Sequence, residues 1–363
     1  MSTPADVGRF MTAQLTRDPR LGEGVAEAMQ ARQFGADPRV PGLGFMFEER
    51  PRNGHRVLFK DGDVPGYHGN LALLPEQGFG IYVVVNGEGT DGVGSWAGKR
   101  VINDVLDRYF PGGAPVTAVP ATGLDRYEGT YRSTRASRSD LSAVTGLTAP
   151  VTVEADGDTL VTSGLSPDPA VESQTWVPLG DGLFGERGGQ GLLLFDADGV
   201  LHAGADPGQA YEKLAWYASP ALHLPLLGLG VLVPFLAFLA IPVTALVRRK
   251  RPSPGPWSRA AWWAAWLASA LVTAFAAGFA AVSGDGNALN EAVMLGAGSM
   301  VALTVLVTVT VFATAAVLAG AAGAWWRRWG SVAGRLGYSL IAVSLLAFVT
   351  VALTYHLASA PFA

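Results

Sequence analysis

The chain has 363 residues and no cysteine, which excludes disulfides, a thiol nucleophile and cysteine-ligated metal sites. Its charge is divided unevenly: residues 1–218 carry 18 basic and 28 acidic side chains (net −10), whereas residues 219–363 carry 8 and 2 (net +6). An acidic first part argues against nucleic-acid binding, and the second part, almost uncharged over long apolar stretches, is typical of a membrane protein.

The first 110 residues predict a sheet between helices. Residues 2–17 predict a helix, because Thr3 can cap it, Pro4 suits its first position and Asp6 completes a capping box. Residues 23–33 predict a short second helix and residues 95–110 an amphipathic third one, which we expect to pack on the sheet and close the domain.

Three apolar runs between these helices predict consecutive antiparallel strands. They are residues 57–59, 71–74 and 79–85, and Gly- and Pro-containing turn signals separate them. The last run is apolar at nearly every position, which indicates a central strand buried on both faces. Residues 43–49 predict a further strand that leads into this hairpin.

Lys60, Asp61 and Gly62 stand where the first of these strands ends. A lysine there can face a bound carboxylate or a developing oxyanion, and a glycine lets a ligand approach the backbone. Taken alone, the tripeptide is more often a solvated lysine before a turn. His68 follows closely, and its ordinary interpretation is a strand-edge histidine. None of the five histidines has a partner at metal-ligand spacing, so we predict neither a metal nor a cofactor.

The wider string resembles the third motif of the serine β-lactamase and penicillin-binding-protein family, in its esterase-like branch. The matching segments are Lys60-Asp61-Gly62, Gly66-Tyr67, Leu71 to Pro75, Gly78 and Val83 to Asn86. The resemblance covers about residues 1–110 and implies a partial β-lactamase-like domain of the α+β class. It also implies a catalytic Lys60, substrate contacts from Asp61, Gly62 and His68, and a peptide, ester or amide substrate. Asp61 departs from the family's usual Thr, Ser or Gly, and its charge would repel a carboxylate.

The nucleophile motif of that family, Ser-x-x-Lys, is absent. The residues three positions before the four lysines (Lys60, Lys99, Lys213 and Lys250) are Val57, Trp96, Ala210 and Val247. The family's second motif (Tyr-x-Asn or Ser-x-Asn) and a Gly-x-Ser-x-Gly elbow are also missing. Both missing family motifs lie upstream of the first helix in the family. We therefore expect this chain to be the C-terminal portion of a longer membrane-anchored hydrolase and to be inactive as given. The cause would be a truncated reading frame, a misplaced start codon or true degeneration of the protein.

The alternative is a non-catalytic membrane-anchored binding or sensory protein, whose ligand module would be the segment after a Pro- and Gly-containing linker at 111–122. That segment, residues 123–217, shows short apolar runs between hairpin signals and predicts a small all-β meander or barrel. Its opening, Leu124 to Tyr131, resembles the lipocalin-like domain that often follows such hydrolases.

Residues 218–363 predict a four-helix transmembrane bundle, with spans of roughly 221–247, 260–282, 292–321 and 336–358. Basic residues lie between spans one and two and between spans three and four, which the positive-inside rule places in the cytoplasm. The soluble part then lies on the extracytoplasmic side. Membrane lipid is the expected partner, and the sequence identifies no partner protein.

Overall fold

The structure, a computed structural model, describes residues 2–64, 66–113, 116–138, 141–148, 150–247, 249, 255–284 and 298–358. The chain divides into two compact units. The first contains Met1–Arg135 and Ala149–Leu214, and the second contains Ala136–Thr148 and Ala215–Ala363.

The first unit begins with an antiparallel sheet between helices, as predicted. The helices are α1 (Pro4–Thr16), α2 (Val25–Gln30) and α3 (Gly94–Tyr109), and the strands are β1 (Glu48–Glu49), β2 (Leu58–Val64), β3 (Tyr67–Leu74) and β4 (Phe79–Val85). The capping box predicted for α1 is present: Thr3 Oγ1 accepts from the Asp6 amide at 3.2 Å, and the Asp6 carboxylate accepts from the Thr3 amide at 3.0 Å.

The sheet order is β1-β2-β3-β4, so the prediction that residues 79–85 form a central strand is wrong. In the described part of the sheet β4 is an edge strand, β2 and β3 are the inner strands, and β3 is more deeply buried than β4. The run is apolar because helices cover both of its faces. Ile81 and Val83 pack in the cluster of α3, and Tyr82 packs in the cluster of α1.

An eight-stranded closed barrel completes the first unit and confirms the predicted all-β segment. Its strands are β5 (Gly129–Ser133), β6 (Val151–Asp156), β7 (Thr159–Ser163), β8 (Ser173–Gly180), β9 (Leu183–Glu186), β10 (Leu192–Phe195), β11 (Leu201–Ala203) and β12 (Ala210–Lys213). Barrels of this size are just wide enough for side chains to fill, and a core that includes Tyr131, Trp176 and Phe184 is buried here. Asn53 and Gln190 exchange hydrogen bonds of 2.6 and 2.7 Å and join the barrel to the loop before β2.

The second unit contains a short helix, α4 (Thr145–Thr148), and four helices long and apolar enough to cross a membrane: α5 (Pro220–Val247), α6 (Pro256–Ser283), α7 (Gly298–Trp326) and α8 (Val332–Thr354). Each of the four predicted spans thus coincides with a long apolar helix, although α8 begins four residues before the predicted 336. The predicted start of the third span lies outside the described residues, as do Asp285 and Glu291. Gly230 lies against Phe348, so a small residue lets α5 approach α8 closely.

Candidate ligand-binding groove

Strand β2 separates its side chains between two faces of the sheet. Leu58 packs in the cluster that includes Phe10 of α1, whereas Phe59 packs in the cluster that includes Ile102 of α3. Because successive side chains of a strand point to opposite faces, Lys60 shares the α1 face with Leu58. The register continues this row, since Lys60 lies opposite Leu71 and Leu71 lies opposite Tyr82.

A groove of about 390 Å³ runs along this face between α1 and the middle of β2. The strand continues to Val64, so the prediction that it ends at Lys60, Asp61 and Gly62 is wrong. Asp6 and Phe10 of α1 form one side, and Lys60 and Tyr82 of the sheet are among the residues of the other. Polar and apolar groups therefore meet in one concave surface, which is the usual composition of a small-molecule site.

Two glycines keep part of the groove open. Gly62 and Gly69 are opposite each other on β2 and β3, and a Cβ at Gly62 would meet nothing within 4 Å. A Cβ at Gly69 would lie 3.1 Å from Tyr82 Oη, so the missing side chain lets the tyrosine hydroxyl lie close to the β3 backbone. Burial, with a smaller contribution from Tyr67, raises the pKa of Tyr82. The phenol therefore stays protonated at neutral pH and can donate a hydrogen bond.

Lys60 supplies a positive charge to the groove. Its side chain is exposed, and among the described residues no hydrogen bond or ion pair engages its ammonium group. The carboxylate of Asp6 is occupied by contrast: it accepts from Thr3 Oγ1 at 2.6 Å and from Arg9 at 3.0 Å. The hydrogen bonds from Thr3 are the main reason that the pKa of Asp6 is lowered.

Asp61 borders the groove, but its carboxylate is engaged by α3. Asp61 Oδ2 lies 2.7 Å from Lys99 Nζ and 3.7 Å from an Arg50 nitrogen. Burial alone would raise the pKa of Asp61, but the hydrogen bond and charge of Lys99, with the charges of Arg50 and Lys60, lower it on balance. The repulsion of a carboxylate ligand expected from the sequence is therefore largely neutralised.

His68 lies apart from the groove. It is opposite Asp63 in the sheet, is 3 % exposed, and holds Asp63 Oδ1 at 2.7 Å from Nδ1. Its Nε2 lies 3.3 Å from Glu88 Oε2, and Glu88 also accepts from the Gly66 amide. His68 therefore ties the β2–β3 turn to the loop after β4. The structure brings Lys60 and Gly62 to the groove, and it gives His68 no place there.

Tyr67 and Tyr82 also border the groove, and neither is among the ligand-contacting residues that the sequence predicts. The sequence does indicate that Tyr82 lies on the opposite face of the sheet from Ile81 and Val83, because successive side chains of a strand alternate between the two faces. To predict that Tyr82 shares a face with Lys60, one also needs the register of β2, β3 and β4, and the apolar runs alone do not determine that register.

The groove offers both polar and apolar contacts to a ligand. Lys60 and the Tyr82 hydroxyl can contact an anionic or carbonyl oxygen, and Phe10 and Leu71 can contact an apolar group. No Ser-x-x-Lys occurs in the 363 residues, so no lysine is spaced to deprotonate a serine on the same helix face. The described residues contain no group of three side chains that could hold a metal ion.

No protein-family model matches the chain, and no curated protein matches it. Among solved structures it is similar to an octameric penicillin-binding protein homologue from Pyrococcus abyssi, with 17% identity, a TM-score of 0.25, and coverage of 58% of this chain and 47% of that one. It is also similar to SurE with D-Leu and to SurE, with identities of 18% and 19%, TM-scores of 0.31, and coverage of 56% of this chain and 49% and 47% of theirs. The chain spans about half the length of each of these structures. TM-scores and identities this low establish no common fold or activity.

Proposed function

We propose that this membrane protein carries the sheet and the lysine of a β-lactamase-related serine hydrolase, and that its groove binds a carboxylate-bearing ligand without forming an acyl-enzyme. The observation that carries the proposal is the position of Lys60. It lies on β2 next to the buried Leu58 and Phe59, faces a groove, and has no partner among the described residues, while the neighbouring Asp61 is held by Lys99.

The ligand class follows from the groups in the groove. A carboxylate would pair with the Lys60 ammonium, and a carbonyl oxygen would accept from the Tyr82 hydroxyl. Phe10 and Leu71 would contact an apolar substituent. Peptides, esters and amides that carry a free carboxylate have all three features.

Reversible binding of a fluorescent penicillin tests this proposal, because the probe carries a carboxylate beside an amide. Anisotropy is measured on the full chain in lipid nanodiscs. Lys60→Gln should weaken binding about fivefold, since an ion pair to an exposed lysine contributes about 1 kcal/mol. The matched control Lys213→Gln removes an exposed lysine whose ammonium donates to the Arg126 carbonyl of the barrel, and it should bind as the wild type does. Equal affinities for all three proteins would refute the role of Lys60.

The second candidate is a membrane-anchored binding or sensory protein without hydrolase ancestry. The absence of Ser-x-x-Lys favours it. The filled interior of the barrel means that the groove, rather than the barrel, would be its ligand site. The genomic DNA upstream of Met1 separates the two candidates. An in-frame Ser-x-x-Lys supports the hydrolase class, and a stop codon followed by a separate ribosome-binding site supports the sensory protein.

We further propose that the first unit lies on the extracytoplasmic side of the membrane. The support is the distribution of basic residues: from Ala215 onward they lie only between α5 and α6 with the first turn of α6, and between α7 and α8 with the first turn of α8. Short loops rich in Lys and Arg remain in the cytoplasm.

A further inference from the structure

One end of the membrane bundle, here called the arginine end, is defined by Arg259, Arg327, Arg328 and Arg335. Arg259 lies in the first turn of α6, Arg335 in the first turn of α8, and the other two follow α7. Contacts inside the bundle show that these ends meet: Tyr338 Oη donates to the Ala261 carbonyl at 3.0 Å. We propose that the arginine end binds the phosphodiester headgroup of an anionic phospholipid, with Arg335 as its central contact.

Arg335 is held in a defined position. Its guanidinium carbon lies 4.9 Å from the centre of the Trp325 ring, a cation–π geometry. The ring is itself fixed, because Trp325 Nε1 donates to Ser339 Oγ at 2.9 Å. Arg335 is half-buried, and its Nε is buried without a hydrogen-bond partner among the described residues. A planar guanidinium held in one orientation suits the oxygens of a phosphodiester.

From Ala215 onward, the described residues contain no acidic side chain that could pair with these arginines. Asp285 and Glu291 are the only acidic residues in the sequence after position 215, and both lie in sequence between α6 and α7, whereas the four arginines lie near the beginning of α6 and α8 or follow α7. Arg259 and Arg335 also stand in first turns, where the helix dipole disfavours a cation. A bound anion would pair with the arginine charges and would also offset the unfavourable interaction of Arg259 and Arg335 with the helix dipoles.

The positive-inside rule explains why arginines follow α7, but a residue that only sets topology needs no particular contact. It leaves the packing of Arg335 on Trp325 unexplained. Tryptophans support a membrane location for the site: Trp257 and Trp326 are 68 % and 89 % exposed at the same end, as expected at the level of lipid headgroups. A lipid therefore fits the surroundings better than a soluble phosphate does.

Native mass spectrometry of the delipidated full chain in detergent tests the proposal with phosphatidylglycerol and phosphatidylcholine as probes. The wild type should bind phosphatidylglycerol at least about tenfold more tightly, because both lipids carry the phosphodiester but the choline cation of phosphatidylcholine cancels its net charge and repels the arginines. Arg335→Gln should remove most of this preference. The matched control Arg249→Gln removes one exposed charge just after α5 and should change the preference less than about twofold.

The variant Arg335→Lys distinguishes a site specific for the guanidinium group from a general attraction of anionic lipid to positive charge. It tests the proposal even if Arg335→Gln fails to fold. It keeps the charge and loses the planar fork, so the proposal predicts an affinity for phosphatidylglycerol about fivefold weaker than that of the wild type. Wild-type binding by Arg335→Lys, equal losses in Arg249→Gln and Arg335→Gln, or equal binding of the two lipids would each overturn the proposal. Displacement of phosphatidylglycerol by inorganic phosphate would show a soluble-anion site and would overturn the lipid assignment.

Discussion

Replacing Lys99 by methionine should loosen the strand that carries Lys60. The Lys99 ammonium lies 2.7 Å from the Asp61 carboxylate, and the two side chains are 13 % and 19 % exposed. Methionine preserves most of the apolar contact of the lysine stem but leaves Asp61 with only Arg50, at 3.7 Å. The carboxylate then lies half-buried with one distant partner.

The expected loss of stability in Lys99→Met follows from the partial burial of the ion pair. Removing one partner of a fully buried ion pair costs about 3–5 kcal/mol, and an exposed pair is worth about 0.2–1 kcal/mol. The Asp61–Lys99 pair lies between these limits, so we expect a loss of about 2 kcal/mol. The double variant Asp61→Asn with Lys99→Met leaves no charge unpaired and should lose less than the sum of the two single variants.

Hydrogen exchange measured by mass spectrometry on peptides from β2 and β3 gives this loss as a local opening free energy. A loss of 2 kcal/mol corresponds to exchange about 30-fold faster than in the wild type. Lys213→Met, which removes an exposed lysine of the barrel, should leave these peptides unchanged. If Lys99→Met and Lys213→Met exchange at the same rate in β2, the ion pair does not hold the strand.

The same pair should make the stability of β2 depend on pH. The pKa of Asp61 is lower in the folded chain than its ordinary value of 3.8. The pair therefore stabilises the fold fully above about pH 4, and this contribution is lost as the pH falls through the lower folded pKa. The difference between the wild type and Lys99→Met should shrink correspondingly in acid.

Two further predictions concern packing and topology. Gly98→Ala should reduce the free energy of unfolding by about 1–3 kcal/mol and lower the apparent melting temperature. The new Cβ of the alanine would overlap the side-chain amide of Asn70, which is fully buried. Gly8→Ala, in α1 with open space around it, should instead be neutral or stabilising by up to about 1 kcal/mol. For topology, a membrane-impermeant maleimide should label Asp198→Cys in intact cells and Arg328→Cys only after lysis. The reverse pattern would place the barrel in the cytoplasm.

Local signals in the sequence were sufficient for much of the fold. The capping box of Thr3 and Asp6 depends on residues three apart, and it is present as predicted. The four membrane helices follow from their length and apolar composition alone. Hairpin strands such as β2 and β3 follow from short apolar runs between turn residues.

The arrangement of the site depends on contacts that local patterns do not contain. Strand order placed residues 79–85 at an edge, although their composition indicated the centre of the sheet. The face of His68 is set by the register of the β2–β3 turn, in which Val64 lies opposite Tyr67. The neutralisation of Asp61 depends on Lys99, which lies 38 residues further along the chain on another element.

Retention of a fluorescent penicillin after denaturation tests the central claim most directly. The full chain is saturated with the probe, denatured in sodium dodecyl sulfate and separated on a gel. We predict saturable binding before denaturation and complete release afterwards, because no lysine in the sequence stands three residues after a serine, where it could activate the hydroxyl. Stoichiometric label retained on one serine would contradict the account, and so would the absence of saturable binding to the native chain.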